Sequence, residues 1–178
     1  MTGANVLKFC PRCGSPHFAP RTANHLVCTA CSFQWFLNPV AGAACFIFDA
    51  QDRVLLIRRE KDPGKGRLAP PGGFIDLGET AEAGLRREVH EETGLSIGDL
   101  TFLCSHPNTY AYGGYTYAVL DLFFTARVAT FAGLKQGDDV VELVTPAARD
   151  VRAEELAFLS MQQAWRELLR GPVKFIPS

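Results

Sequence analysis

A chain of 178 residues, 47% of them hydrophobic, has room for one full-sized domain with a sizeable core and a small appendage. Its 18 Lys and Arg nearly balance its 19 Asp and Glu, so bulk charge argues neither for nucleic acid nor for a membrane surface as partner. No apolar run is long enough to span a bilayer and the first residues lack the pattern of a signal peptide, so the expectation is a soluble, cytoplasmic protein without repeats or low-complexity tracts.

The N-terminal segment carries four of the six cysteines, as Cys10-Pro-Arg-Cys13 and Cys28-Thr-Ala-Cys31, with 14 residues between the pairs. Thiolates at this spacing can meet one tetrahedral Zn²⁺, and four of them leave no open position for a substrate, so the expected role is structural. The alternative is a pair of disulfides, which a reducing compartment disfavours. The segment Trp35-Phe36-Leu37-Asn38-Pro39 reads as a join. The expected division is a metal-held module over residues 1–36 and a larger α/β domain over 37–178.

Residues 41–48 then read as a buried strand, 49–52 as a hairpin turn and 53–58 as the returning strand. A loop follows with Arg58, Arg59, Lys61, Lys65 and Arg67 in or beside it; such a cluster suits phosphate contacts, but is more often only solvated. Pro70-Pro71-Gly72-Gly73 breaks regular structure. The spacing next predicts a helix with Thr80 as N-cap and Gly94 just past its end. Ala81, Leu85 and Val89 form its apolar stripe. At about 100° per residue, Glu92 projects only about 20° from Leu85 and Glu88 about 60° from it. Two carboxylates therefore turn toward the protein body, while Glu91 lies further round, where Arg87 can reach it at i,i+4. Isolated carboxylates are costly to bury. A divalent cation with a taste for oxygen ligands, Mg²⁺ or Mn²⁺, resolves that cost.

Beyond the helix, 100–104 reads as a strand, 105–114 as a loop, 115–128 as a long strand and 140–144 as a short one. A last helix is expected from about Ala153 to Leu169, with Phe158, Met161, Trp165 and Leu168 as core packing and Gly171-Pro172 as its stop. Cys45 and Cys104 fall in strand-like stretches and read as small core residues. Strands with one helix in their midst and one at the end suggest a layered α/β domain.

Gly73, Glu79, Arg87, Glu88, Glu91, Glu92 and Gly94, with apolar Val89 and Leu95, fit G-x5-E-x7-R-E-U-x-E-E-x-G-U at every position, U being apolar. This is the signature of the Nudix hydrolases. The order of ribbon, connecting strand and box over roughly residues 10–146 resembles the members with an N-terminal zinc ribbon, such as the NADH pyrophosphatases. The resemblance implies an α/β/α sandwich around a mixed β-sheet. It also implies metal-dependent cleavage within the diphosphate of a nucleoside diphosphate linked to another moiety, with release of a nucleoside monophosphate. On that template Glu88, Glu91 and Glu92 hold the divalent ions with the backbone carbonyl of Gly72, and Glu79 and Arg87 brace the loop and helix. A later acidic residue falls at Asp139, as ligand or base, with Glu142 as its rival and an ordinary turn acid as the plain alternative.

The array S-Q-P-W-P-F-P-x-S of the NADH pyrophosphatases is only partly matched by Ser105-His106-Pro107-Asn108-Thr109-Tyr110-Ala111-Tyr112-Gly113. ADP-ribose or another ADP-linked compound is therefore as credible a substrate as NADH. Phe74, Tyr110, Tyr112 and Tyr115 could stack on a base, or simply fill loop and sheet. Capped RNA is conceivable only by analogy. A different class of reading is a non-catalytic sensor of ADP-ribose whose ribbon touches nucleic acid or protein. The retained glutamates and the scarcity of Lys and Arg in the ribbon count against it. A ribbon that serves as a homodimer element is compatible with the enzyme.

Overall fold

The computed structural model describes residues 7–137 and 140–170. Its Cα positions divide into two compact units, one of residues up to Val40 together with Thr109–Ala118, the other of Ala41–Asn108 and the chain from Val119 onward. The first unit contains a three-stranded antiparallel sheet of β1 (Phe18–Thr22), β2 (His25–Cys28) and β3 (Gln34–Phe36), in that order. Its small core consists of Cys10, Phe18, Leu26 and Cys28, flanked by Leu7, Cys31, Phe33 and Leu37. The Leu37 N–H donates to Asn24 O at 2.8 Å, so the chain is still part of this unit at the expected join.

The larger sheet has the order β10 (Val140–Val144), β5 (Val54–Arg59), β4 (Val40–Phe48), β9 (Tyr115–Arg127) and β8 (Thr101–Tyr112). Two short strands join it, β6 (Leu68–Ala69) against β5 and β7 (Gly72–Phe74) against β4. The two helices are α1 (Ala81–Thr93) and α2 (Leu159–Arg170). Successive side chains of a strand point to opposite faces, and β4 separates two cores on that rule. Ala43, Cys45 and Ile47 pack with Leu85 and Val89 of α1. Ala44, Phe46 and Phe48 pack with Met161, Ala164, Trp165 and Leu168 of α2. Both faces of β4 are therefore buried, which is why it reads as a continuous apolar run. The result is the expected α/β/α sandwich.

The turn between β4 and β5 is organised by the fully buried Asp49, whose Oδ1 accepts from the N–H groups of Gln51 and Arg53 at 2.9 Å each. These donors and the Arg53 guanidinium outweigh the effect of burial and hold the carboxyl below its ordinary range.

Three expectations need correction. Residues 105–112 are not a loop but continue β8, so that only Gly113 and Gly114, both at positive φ, turn the hairpin. As the outermost strand, β8 tolerates Pro107, because an edge position needs no ladder bond from that nitrogen. Gly72 and Gly73 do not simply break structure; they pair with Ala44 and Ala43 in β7. The last helix begins at Leu159 rather than Ala153. Ala153–Glu155 is a single 3-10 turn, after which Leu156 forms a parallel bridge to Leu68 and the Ala157 N–H donates to Leu68 O at 2.8 Å. Phe158 consequently precedes the helix, while Met161, Trp165 and Leu168 hold the buried face. Gly171 and Pro172 lie outside the described residues.

Candidate active site

Helix α1 is bounded as its residue types require. Thr80 Oγ1 accepts from the Ala83 N–H at 3.2 Å, and Gly94 takes the left-handed conformation at φ 68° and donates to His90 O. Leu85 and Val89 are wholly buried, which fixes the rotation of the helix. That rotation leaves Glu88 and Glu92 half-buried and Glu91 exposed, as the angular spacing predicts.

The inward carboxylates meet β7. Glu92 Oε2 accepts from the Gly72 N–H at 2.8 Å. Glu88 lies over Gly73, where a Cβ would stand 2.5 Å from Oε2 and 2.7 Å from Oε1. No side chain fits there unless Glu88 moves. Gly72 has φ 145°, and a Cβ on it would run into the backbone of Ala43 and Ala44. Both glycines thus have a steric reason. Together they put a backbone segment and two carboxylates within touching distance.

Arg87 ties this arrangement together. Its guanidinium donates to both oxygens of Glu79, at 2.9 and 3.0 Å, to Glu88 Oε1 at 2.8 Å, to Glu91 Oε2 at 3.3 Å and to Phe74 O at 3.2 Å. Glu79 also accepts from the Asp76 N–H at 3.0 Å. The Arg87 hydrogen bonds, with this amide, hold the Glu79 carboxyl near 2. Its own partners, Glu79 first, raise the Arg87 guanidinium still further. Glu88 behaves in the opposite way: burial raises its pKa, and the hydrogen bond from Arg87 only partly offsets that. Glu88 is thus a half-buried carboxylate whose ionised form rests on its 2.8 Å contact with Arg87. Gly84, which the motif leaves unspecified, also has a reason, since a Cβ there would stand 2.8 Å from Glu79 Oε2.

Among the other residues named from the sequence, Phe74 is part-exposed on β7 in the same unit as the glutamates. Tyr110 and Tyr112 lie on β8 in the first unit, Tyr112 well exposed near the hairpin turn. Asp139 lies outside the described residues. Its rival Glu142 is paired with Arg58 at 2.8 Å. The preceding loop is anchored, because the Gly137 N–H donates to Glu92 O at 2.9 Å and a Cβ on Gly137 would strike the backbone of Glu91 and Glu92.

The basic cluster before the box is not merely solvated. Arg58 reaches Gly66 O as well as Glu142, Arg59 donates to Pro63 O and lies over the Phe158 ring, and Arg67 donates to Glu154 O and Leu156 O. These three arginines hold the loop to its surroundings. The sequence reading also missed a polar group on the α2 face of the sheet. There Asp121 of β9, largely buried, accepts from Asn108 Nδ2 at 2.8 Å and Ser160 Oγ at 2.6 Å. The residues Cys104, His106 and Asn108, at alternate positions of β8, were the available signal.

In the first unit the sulfurs of Cys10, Cys13, Cys28 and Cys31 all lie within 4.8 Å of one another and are unbridged. Cys10 Sγ and Cys31 Sγ are 3.7 Å apart, as are Cys13 Sγ and Cys28 Sγ, about the spacing of two thiolates on one tetrahedral Zn²⁺. Burial opposes ionisation of Cys28, but the N–H groups of Cys31 and Ala30 and the neighbouring thiols bring it down to about 7. The donor set fits zinc.

A model of the NUDIX domain matches residues 38–173. The chain is 37% identical over 112 residues to the ADP-ribose pyrophosphatase of Methanocaldococcus jannaschii, covering 62% of this chain and 63% of that protein. It is 34% identical over 105 residues to the NAD-capped RNA hydrolase NudC of Haemophilus influenzae (strain PittGG), covering 56% of this chain and 38% of that one. The chain therefore spans less than two thirds of the length of either relative. Among solved structures, a NUDIX hydrolase from Nitrosomonas europaea superposes with a TM-score of 0.69 at 21% identity, covering 93% of this chain and 94% of its own. The NUDIX domain of Shewanella oneidensis NrtR complexed with ADP ribose superposes with a TM-score of 0.62 at 25% identity, covering 75% of this chain and 90% of its own. With the box helix, the sandwich and a domain match over most of its length in agreement, the chain belongs to the NUDIX family.

Proposed function

We propose that this protein hydrolyses the diphosphate of a nucleoside diphosphate linked to a second moiety, releasing a nucleoside monophosphate, with ADP-ribose or an NAD-type dinucleotide such as NADH as substrate. The observation that carries the reading is the packing of the Glu88 and Glu92 carboxylates against side-chain-free Gly72 and Gly73. This brings charged oxygens and backbone together at one end of a rigid helix. Glu88, Glu91 and Glu92, with the Gly72 carbonyl, would hold Mg²⁺ or Mn²⁺, a hard-oxygen set suited to those ions. Such ions, when bound, neutralise the diphosphate, acidify water and steady the leaving oxygen.

The chain's own residues position and hold protons. Arg87 grips Glu79 with both guanidinium arms and so fixes the 74–79 loop against the helix. The same group limits where Glu88 and Glu91 can swing. Orientation of this kind lowers the barrier by prepaying the loss of freedom that the reacting groups would otherwise suffer. One of the site's carboxylates would take the proton of the attacking water. The four cysteines would hold a structural Zn²⁺ in the N-terminal unit, and Phe74, in the same unit as the glutamates, offers an aromatic face to a base. The two relatives act on ADP-ribose and NAD-capped RNA by their names, which supports an ADP-containing substrate.

The test is a panel of ADP-ribose, NADH, NAD, FAD, diadenosine polyphosphates, nucleoside triphosphates and NAD-capped RNA, each with Mg²⁺ and with Mn²⁺, with products identified by mass. AMP from an ADP-linked compound is the expected result. Binding without turnover across the panel would replace the enzyme by a nucleotide sensor.

A further inference from the structure

The α2 face of the sheet carries a group of side chains that diphosphate cleavage does not use. Cys104 and His106 occupy alternate positions of β8 and so share a face. Glu167 comes to them from the C-terminal half of α2. The Cys104 sulfur, a His106 ring nitrogen and a Glu167 carboxylate oxygen all lie within 4.8 Å of one another. We propose that Cys104, His106 and Glu167 form a second metal site, which takes a zinc-class divalent cation through one thiolate, one imidazole nitrogen and one carboxylate oxygen.

The donor chemistry selects the ion. A thiolate and an imidazole favour zinc and its late first-row neighbours over magnesium or calcium. Ligands at about 2.0–2.3 Å from a tetrahedral zinc stand roughly 3.3–3.8 Å apart, so these three donors converge with shifts of about 1 Å or less. Thiolate and carboxylate together balance the cation's charge. The thiol proton passes to solvent as the sulfur binds. Three protein ligands leave one position for water.

His106 supports the assignment. Its Nε2 is buried, and no partner among the described residues meets hydrogen-bond geometry there, although Glu167 Oε1 stands 2.9 Å away. A buried nitrogen without a proper bond is costly. Coordination to a shared cation accounts for the imperfect geometry of this ion pair and for the approach of the carboxylate. The His106 ring packs on Phe123, with centroids 6.3 Å apart, which restrains it. Glu167 is about half exposed, so an ion has a route from solvent.

A cysteine nucleophile is the other use of such a trio, and the surroundings oppose it. Burial first, then the adjacent Glu167 charge, pushes the Cys104 thiol up to about 12. A nucleophile needs the opposite shift, whereas a bound cation supplies the missing positive charge. The site is separate from the glutamates of α1, which pack on the other face of the sheet.

The test is titration of the full-length protein with Co²⁺, with the four-cysteine ribbon saturated with zinc and excess Mg²⁺ present. The expected result is one equivalent bound without zinc release, with a thiolate-to-cobalt charge-transfer band and the visible bands of four-coordination. Cys104→Ser should abolish the charge-transfer band, and His106→Gln and Glu167→Gln should each weaken binding by at least the roughly 10- to 100-fold that loss of a residue supporting a ligand costs. A band that persists in Cys104→Ser, or that grows only as zinc leaves the ribbon, overturns the proposal. So does the absence of any cobalt binding. Thermal melts without added cobalt check that each variant is folded; should Cys104→Ser fail, unweakened binding in His106→Gln is equally fatal.

Discussion

Replacing Gly73 by alanine separates the role of the glycine from the stability of the fold. The added Cβ would stand 2.5 and 2.7 Å from the Glu88 oxygens, so the carboxylate must retreat by about 1 Å to reach ordinary contact. The obstacle is the end of a flexible side chain, and the fold can give way there. The expected loss of stability is under about 1 kcal/mol, below the usual range for overpacking. Turnover should suffer much more. A misplacement of about 1 Å in a catalytic array costs about 10²-fold, equivalent to roughly 2.7 kcal/mol in the barrier. The Mg²⁺ concentration for half-maximal rate should rise as well, because a ligand has moved. Gly72→Ala is the contrast: its Cβ meets the Ala43 and Ala44 backbone at φ 145°, where nothing can swing aside, and it should lose about 1–3 kcal/mol or more of stability. The assays are AMP release from the best substrate of the panel across a Mg²⁺ series, and urea melts of both variants. Full turnover in Gly73→Ala, or a melt as damaged as that of Gly72→Ala, would refute the reasoning.

Glu92→Gln should lower turnover by more than about 10²-fold with a near-normal melt, since it removes a charge from the site while keeping its shape; steady-state kinetics beside calorimetry decide this. Glu79 is held near 2, below the ordinary glutamate value of 4.5, so its contribution to stability is complete above 4.5 and is lost as the pH falls toward 2. Urea midpoints across that window should fall in the wild type, and fall less steeply in Glu79→Gln. Cys28→Ser should unfold β1–β3 and lose the ribbon's zinc, seen as a lower metal content by elemental analysis and as faster proteolysis within residues 7–37. Trp165→Ala removes a fully buried ring that contacts Phe46 and Phe48 and donates to Val151 O at 3.2 Å, and should cost about 3–5 kcal/mol in chemical denaturation.

Much of the candidate site could be read from the chain itself, because its geometry is local. A helix has a fixed angle per residue, so Thr80, Leu85, Val89 and Gly94 determine where Glu88, Glu91 and Glu92 point before any other element is placed. The four cysteines are similar: the spacing within and between the two short knuckles already suggested that their sulfurs meet, as they do. The extent of β8 was not legible, because an edge strand with a proline and little alternation becomes a strand only through its neighbour β9. The start of α2 was hidden for a related reason. Its preceding turn is set by Leu156 and Ala157 meeting Leu68, some ninety residues earlier in the chain. The meeting of Cys104 and His106 with Glu167 likewise depends on how a helix settles on a sheet, which no local period encodes. Sequence alone determined the elements whose partners lie within a few turns of themselves. Contacts between distant segments, which depend on the packing of whole faces, were decided only in the tertiary structure.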